Sequence, residues 1–304
     1  MSDQWSLEAL IARYEFHPHF KEIYVEGEGD IGLYQLFLEE MGRNDVHVYP
    51  ISAVSIPPDP VDGLQIRQLD SGSRRSAVIS LALALEAKIS QEARLVTCIA
   101  DADTQHIQPE DFATQFLFFT DYTSIEIYAF KASFISRIMR IGSPNTQIDA
   151  EDFLVNITVV LEALFSIRVA NYRLGWGLKW ISPTSNCQYE NGVVTFDQNS
   201  FLNRYLNTKG KLANKSEFMN EVEAVRASFE LDHRKQIRGH DFVEIVTWYL
   251  RKMAYHAFSK FSEEVIRHNL LSQLRKGDLA SETLFKSILE RYPESELQSI
   301  GLNN

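Results

Sequence analysis

Short apolar runs alternate with stretches of helical periodicity through the first 130 residues of the chain. The runs that predict strands are 22–25, 46–51 and 95–100, and an aromatic run follows at 116–119. Apolar residues recur at helical spacing over 30–41 and from Ser73 to about residue 90, which predicts two helices. A short strand is also predicted at 64–66, within a proline-rich loop. The order strand, glycine turn, helix, strand indicates a βαβ unit, so this half of the chain is predicted to form a parallel sheet.

The pattern changes to long helical segments after residue 148. Their predicted ranges are 149–174, 218–229, 240–257, 263–276 and 281–292. Between the first two, the pair Asn191-Gly192 is a strong two-residue turn signal beside the strand-like run 193–196, which predicts a β-hairpin. We therefore predict an α/β domain over 1–144 and a mainly helical domain with a small β-hairpin over 145–304.

The composition supports a folded core and limits the possible partners. Of the 304 residues, 45% are hydrophobic, and 30 basic against 41 acidic residues give a net charge of −11. That charge disfavours binding of nucleic acid through a broad basic surface, so a polyanion would be held by local cations or by metal. Two cysteines are too few for a disulfide framework or a cysteine zinc site.

Targeting and membrane signals are weak in this sequence. The first residues lack the basic flank and apolar stretch of a signal peptide. The most apolar helical stretch, 153–165, is interrupted by Asn156, Thr158 and Glu162. We expect a soluble cytoplasmic protein with no membrane partner.

Carboxylates follow two of the predicted strands at the point where each strand ends. Glu26 follows the first strand, and Asp101 and Asp103 follow the third. The carboxyl ends of strands in an open α/β sheet are where ligands bind, and carboxylate oxygens are ligands that Mg²⁺ or Mn²⁺ accepts. These residues therefore predict a catalytic metal site, in which a third carboxylate holds a second ion or acts on the attacking water. The alternative for Asp103 is a helix or turn cap.

Three further residues are candidates near this site. Asp30 would support the metal or cap the helix that begins there, and the sequence favours neither. Arg74 and Arg75 open a helix at the position where backbone N–H groups favour phosphate, so they are the predicted substrate-binding residues. The alternative is that these arginines belong to an ordinary solvated surface.

Glu26 after the first strand and the motif Asp101-Ala102-Asp103 resemble a TOPRIM domain, the magnesium-binding module of primases, topoisomerases and OLD-type nucleases. The segment 120–126 and the later run 238–241 are similar to a TOPRIM-like family that acts with ATPases in bacterial defence, including the PARIS anti-phage systems. On this resemblance Glu126 supports the metal cluster. A helix start capped within 120–126 explains the same residues.

The resemblance implies a magnesium-dependent endoribonuclease toxin that an ABC-type ATPase holds inactive. Once released, such an effector is expected to form a homodimer and to cleave RNA, with tRNA as the expected substrate class. The alternative is a non-catalytic regulatory subunit of an ATPase complex, whose acidic residues are degenerate. Retention of all three strand-end carboxylates favours catalysis.

Overall fold

The computed structural model describes residues 4–57, 73–89, 95–112, 114–142, 149–190 and 193–293. In chain order the strands are β1 (Trp5–Ser6), β2 (Lys21–Val25), β3 (Val46–Pro50), β4 (Val54–Ser55), β5 (Val96–Ala100), β6 (Leu117–Phe119), β7 (Cys187–Glu190) and β8 (Val193–Phe196). The helices are α1 (Leu7–Phe16), α2 (Glu28–Glu40), α3 (Arg74–Lys88), α4 (Ala132–Gly142), α5 (Ala150–Arg173), α6 (Gln198–Asn207), α7 (Lys215–Arg226), α8 (Gly239–Met253), α9 (Tyr255–Phe258), α10 (Glu263–Leu271), α11 (Lys276–Leu279) and α12 (Thr283–Arg291). The predicted strand at 64–66 and the predicted turn Asn191-Gly192 lie outside the described residues.

A four-stranded parallel sheet forms the centre of the first half of the chain. Its strand order is β3-β2-β5-β6, and all neighbouring pairs are parallel. Helix α2 packs beside β3, and α3 packs beside β5. Every residue of β5 is buried, as expected for a central parallel strand with both faces covered. The predicted parallel-sheet α/β region is therefore confirmed.

The chain divides into two compact units that interleave along the sequence. The first contains 1–102, 110–121 and 275–304, and the second contains 103–109 and 122–274. The domain boundary predicted near residue 144 divides the chain only once. In the structure, helices α11 and α12 belong to the first unit, although they lie far beyond that boundary in sequence. The Tyr292 hydroxyl, for example, donates to the Glu22 carbonyl at 2.9 Å and lies 2.8 Å from the Thr97 hydroxyl.

The second unit is built around α5. This helix packs against α4, α7, α8 and strand β8, which pairs with β7 as the predicted antiparallel hairpin. Asp149 caps its first turn by accepting the backbone N–H groups of Glu151 and Asp152. By length and mean hydropathy, 1.9, α5 could cross a membrane, but 67% of that apolar stretch is buried inside the protein. Helices predominate in the C-terminal half, as predicted.

Some helices differ from the predicted ranges. Helices α4 and α6 were not predicted. The predicted helix 240–257 is divided into two helices: α8, which ends at Met253, and α9, which begins at Tyr255. The predicted helix 263–276 ends at Leu271, before α11 begins.

Candidate functional site

The first strand end carries Glu26 and the start of α2. Glu26 directly follows β2, and Gly27 is the residue that precedes the first turn of α2. Asp30, in that turn, accepts the Gly27 backbone N–H at Oδ2 over 3.0 Å. Asp30 therefore acts as a helix cap, where its charge also suits the positive end of the helix dipole.

The second strand end lies directly beside the first. Strands β2 and β5 pair in register, with Val25 opposite Ile99. The Asp101 backbone N–H donates to Glu26 Oε1 over 2.8 Å. The structure thus brings Glu26 and Asp101 together at the carboxyl edge of the sheet, as the strand-end pattern predicts.

The chain turns sharply just beyond Asp101. The Ala102 backbone N–H donates to Thr120 Oγ1 over 2.9 Å, which ties the end of β5 to the segment after β6. Asp103 has φ 45°, and it is the one non-glycine residue with positive φ in the described part of the chain. Aspartate tolerates this left-handed conformation better than most residues, and such backbone outliers are often found at functional sites. Asp103 is also the first residue of the second compact unit.

The two candidate arginines have different surroundings. Arg75 Nε donates to the Asp101 carbonyl over 3.1 Å, and its guanidinium pairs with Glu110 at 3.4 Å. Arg74 is exposed at the first position of α3. A Cβ added to Gly27 would lie 3.5 Å from Arg74 Nη1, so this cation reaches the turn next to Glu26. Arg75 therefore fixes the strand end, and the binding of a phosphate by Arg74 stays a prediction.

Asp121 caps a helix that is distant in sequence. Its Oδ1 accepts the Thr283 backbone N–H over 3.0 Å, and its Oδ2 accepts that of Leu284 over 3.1 Å. These are the first two N–H groups of α12, which lack partners within the helix. The sequence suggests a capping role in this segment, but it does not reveal which helix receives the cap.

Tyr34 is a residue that the strand-end pattern does not reveal. It is 1% exposed, and its hydroxyl oxygen has no hydrogen-bond partner among the described residues. Burial raises the pKa of Tyr34 well above its ordinary value, and four carboxylates raise it further, namely Asp30, Asp101, Glu26 and Asp121. The sequence could have indicated this residue only through its spacing, because Tyr34 follows Asp30 by four residues and therefore lies on the same face of α2.

Glu126 lies in the second unit, inside a structural network. Arg267 Nε donates to its Oε1 over 2.5 Å, and Ser124 Oγ donates to its Oε2 over 2.6 Å. Burial alone would raise the pKa of Glu126, but the charge of Arg267 and these hydrogen bonds hold it below its ordinary value. A Cβ on Gly239 would stand 2.1 Å from Ser124 Oγ, so this packing requires glycine. The role of Glu126 in supporting a metal stays a prediction.

The donor set at the strand ends fits magnesium by its chemistry. Glu26 and Asp101 offer hard oxygen atoms, and Mg²⁺ needs only one or two carboxylates because water and phosphate oxygens complete its coordination. The buried Tyr34 hydroxyl offers a hydrogen-bond donor within the field of the same carboxylates. Within the described ranges, no group of three or more His, Cys, Asp or Glu side chains is arranged so that it could hold a metal ion.

No protein-family model matches the chain, and no curated protein matches it.

Proposed function

We propose that this protein is a magnesium-dependent endoribonuclease with a TOPRIM-like α/β domain, acting as a toxin in bacterial anti-phage defence. The observation that carries the proposal is the hydrogen bond from the Asp101 backbone N–H to Glu26 Oε1. It joins two acidic strand ends at the edge of a parallel sheet where ligands bind. The reaction is hydrolysis of an RNA phosphodiester bond.

The residues of the chain have separate roles in this proposal. Two of the three carboxylates of Glu26, Asp101 and Asp103 would supply oxygens for Mg²⁺ or Mn²⁺, and the third would act on the attacking water. When bound there, the ion supplies a Lewis acid for the phosphodiester and lowers the pKa of water. The Asp101 backbone N–H orients Glu26, and Arg75 in turn holds the Asp101 carbonyl. Arg74 contacts a phosphate of the RNA backbone.

Regulation follows the same resemblance. The protein is similar to AriB, the effector of the PARIS system, and we propose that an AriA-like ABC-type ATPase holds it inactive until infection is sensed. The released effector forms a homodimer in the cytoplasm, cleaves tRNA and so causes abortive infection. Val155 and Val159, one helical turn apart on α5, are 68% and 69% exposed, which supports self-association through this helix.

The test is expression of the isolated chain in cells, followed by end-mapping of small RNAs. We expect toxicity and new tRNA ends with the wild type and neither with Glu26→Ala. Purified protein should cleave tRNA with Mg²⁺ and stop when the metal is chelated. Intact RNA and normal growth with the wild type would instead favour the non-catalytic regulatory subunit.

A further inference from the structure

Three lysines of the second unit, Lys209, Lys211 and Lys215, form a basic patch in which no lysine is paired with a carboxylate among the described residues. Lys209 is exposed, and Lys211 and Lys215 are partly exposed. Lys235, in the same unit, shows the contrasting arrangement, because it pairs with Glu230 at 2.8 Å. In a protein of net charge −11, three cations without an ion pair are a distinct local feature.

Trp176 joins two of the three lysines. Lys209 Nζ donates to the Trp176 carbonyl over 3.4 Å, and Lys211 Nζ lies 5.0 Å from the centroid of the Trp176 ring. The ring itself packs against the buried Phe218, with centroids 5.4 Å apart. Gly210, between the two lysines, has φ 64°, which glycine adopts without steric cost. The turn at Gly210 therefore lets both ammonium groups reach the same tryptophan.

Lys215 extends the basic patch onto α6. From the start of α7, its Nζ donates to Asn203 Oδ1 over 2.7 Å and also to Asn199 Oδ1. Carbonyl and amide oxygens and an indole ring are neutral, so these partners orient the three ammonium groups without cancelling their charge. Each ammonium group has three N–H donors, and donors remain for an anion. The acidic side chains of α7 bond to other groups: Glu217 to Asn214, Glu221 to Arg173 and Glu223 to Arg226.

The chemistry of the basic patch fits a phosphate backbone better than it fits a protein. Lysine binds phosphate as a point charge, whereas it is depleted at protein interfaces. A protein interface also has an apolar centre, and Leu212, 45% exposed, is the one exposed large apolar side chain within 209–215 of the described chain. The observations therefore favour a nucleic acid as the occupant.

We propose that Lys209, Lys211 and Lys215 form a second contact for RNA, in which they hold phosphates of the substrate backbone. This inference rests on the proposed function, because it takes the RNA substrate as the ligand. The contact differs from the predicted contact of Arg74 because the second unit makes it. Lysines that bind phosphates release counter-ions, so the basic patch should contribute to the salt dependence of binding and not to base recognition.

The experiment measures tRNA binding to the full-length protein by fluorescence anisotropy at several salt concentrations, in Ca²⁺ to prevent cleavage. In the triple variant Lys209→Gln, Lys211→Gln, Lys215→Gln, the slope of log affinity against log salt should decrease in magnitude by about two to three. Arginine at the same three positions keeps the charges, so this second variant should keep the slope. Thermal unfolding checks that each variant is folded.

The matched control removes three cations that each pair with a carboxylate. It has the same net charge as the glutamine variant, and it should bind tRNA like the wild type because those charges are already compensated. Its substitutions are Lys21→Gln, Arg226→Gln and Lys235→Gln.

The outcomes separate this inference from the proposed function. A wild-type slope in the glutamine variant, with unchanged tRNA cleavage in Mg²⁺, would overturn the inference alone. An equal loss in the control would show an effect of net charge only, and loss of the slope in the arginine variant would show a role other than charge; either result would also overturn it. Normal tRNA binding with lost binding of a polyglutamate peptide would assign the basic patch to an acidic protein instead. A wild type that binds tRNA through these lysines but does not cleave it in Mg²⁺ would overturn the proposed function alone.

Discussion

Strand β2 carries a glutamate near each end, and the two carboxylates have opposite surroundings. Glu22, near the amino end, is 1% exposed and accepts two hydrogen bonds from Arg13 as well as those from Tyr14 and Tyr24. Glu26, just past the carboxyl end, is partly exposed and accepts the backbone N–H of Asp101. The same residue type is thus paired with a guanidinium at one edge of the sheet and accepts the backbone N–H of the neighbouring strand end at the other.

The difference separates a buried, ion-paired carboxylate from a partly exposed carboxylate at a strand end. A buried charge with a matched cation and satisfied oxygens stabilises the fold relative to the same charge left alone. Glu126, paired with Arg267, belongs with Glu22 by this criterion. Glu26 instead lies at the edge where parallel strands present ligands, which makes it the candidate for a metal ligand.

The largest expected effect is loss of cleavage at the acidic edge. Glu26→Gln, Asp101→Asn and Asp103→Asn should each lower kcat by about 10³-fold or more, because loss of a metal ligand removes about 4 kcal/mol of transition-state stabilisation. Thermal unfolding of the metal-free variants should stay close to that of the wild type, because each amide keeps the size of the side chain and an oxygen that can accept hydrogen bonds, such as the one from the Asp101 N–H to position 26. The amide at position 103 also keeps the left-handed backbone accessible. A folded Glu26→Gln protein that cleaves at the wild-type rate would contradict the metal site.

The opposite end of β2 should respond in stability instead of activity. Glu22→Gln leaves Arg13 without its counter-charge, so we expect a loss of about 3 kcal/mol in the free energy of unfolding. Cleavage per folded molecule should stay at the wild-type level. Urea titration gives the stability, and cleavage assays well below the transition give the activity. If Glu22→Gln were as stable as the wild type, Glu22 would not have the structural role that distinguishes it from Glu26.

Glu126 should show its structural role through pH. Its pKa is lower in the folded protein than the ordinary value of 4.5, so its ion pair stabilises the fold above that value. The contribution disappears as pH falls through the lower folded-state pKa. At neutral pH, Glu126→Gln should be less stable than the wild type by about 2 kcal/mol, and this gap should close in acid. Unfolding titrations across the acid range measure the gap. If Glu126→Gln lost cleavage and its stability difference from the wild type did not change with pH, the result would instead support the predicted role of Glu126 at the metal.

The smallest expected effect distinguishes the two arginines. Arg74→Ala should reduce the slope of log affinity for RNA against log salt by about one, because one phosphate contact is lost. Arg75→Ala should leave that slope unchanged and slow cleavage, because Arg75 holds the Asp101 carbonyl. Binding titrations at several salt concentrations, in Ca²⁺ to prevent cleavage, give the slopes. Identical slopes for Arg74→Ala and wild type would assign Arg74 to the solvated surface.

Local patterns were sufficient to predict the strand ends, and long-range contacts were not accessible from them. The pairing of Glu26 with Asp101 was predictable because apolar runs mark the strands and parallel strands align their carboxyl ends. The cap that Asp121 provides joins residues 162 positions apart, and the ion pair of Glu126 joins residues 141 apart. A single sequence carries no periodicity that would specify such partners.

The return of the C-terminal segment to the first unit has a consequence for synthesis of the protein. The Tyr292 hydroxyl bonds to the Glu22 carbonyl, and the Tyr292 carbonyl accepts Arg43 Nε at 2.7 Å. A ribosome delivers the acidic strand ends early, yet the contacts that complete their unit arrive only with the last helix. Nascent chains that stop before Tyr292 therefore lack these contacts, and the unit that carries the proposed site is completed only after residue 292 has been synthesised.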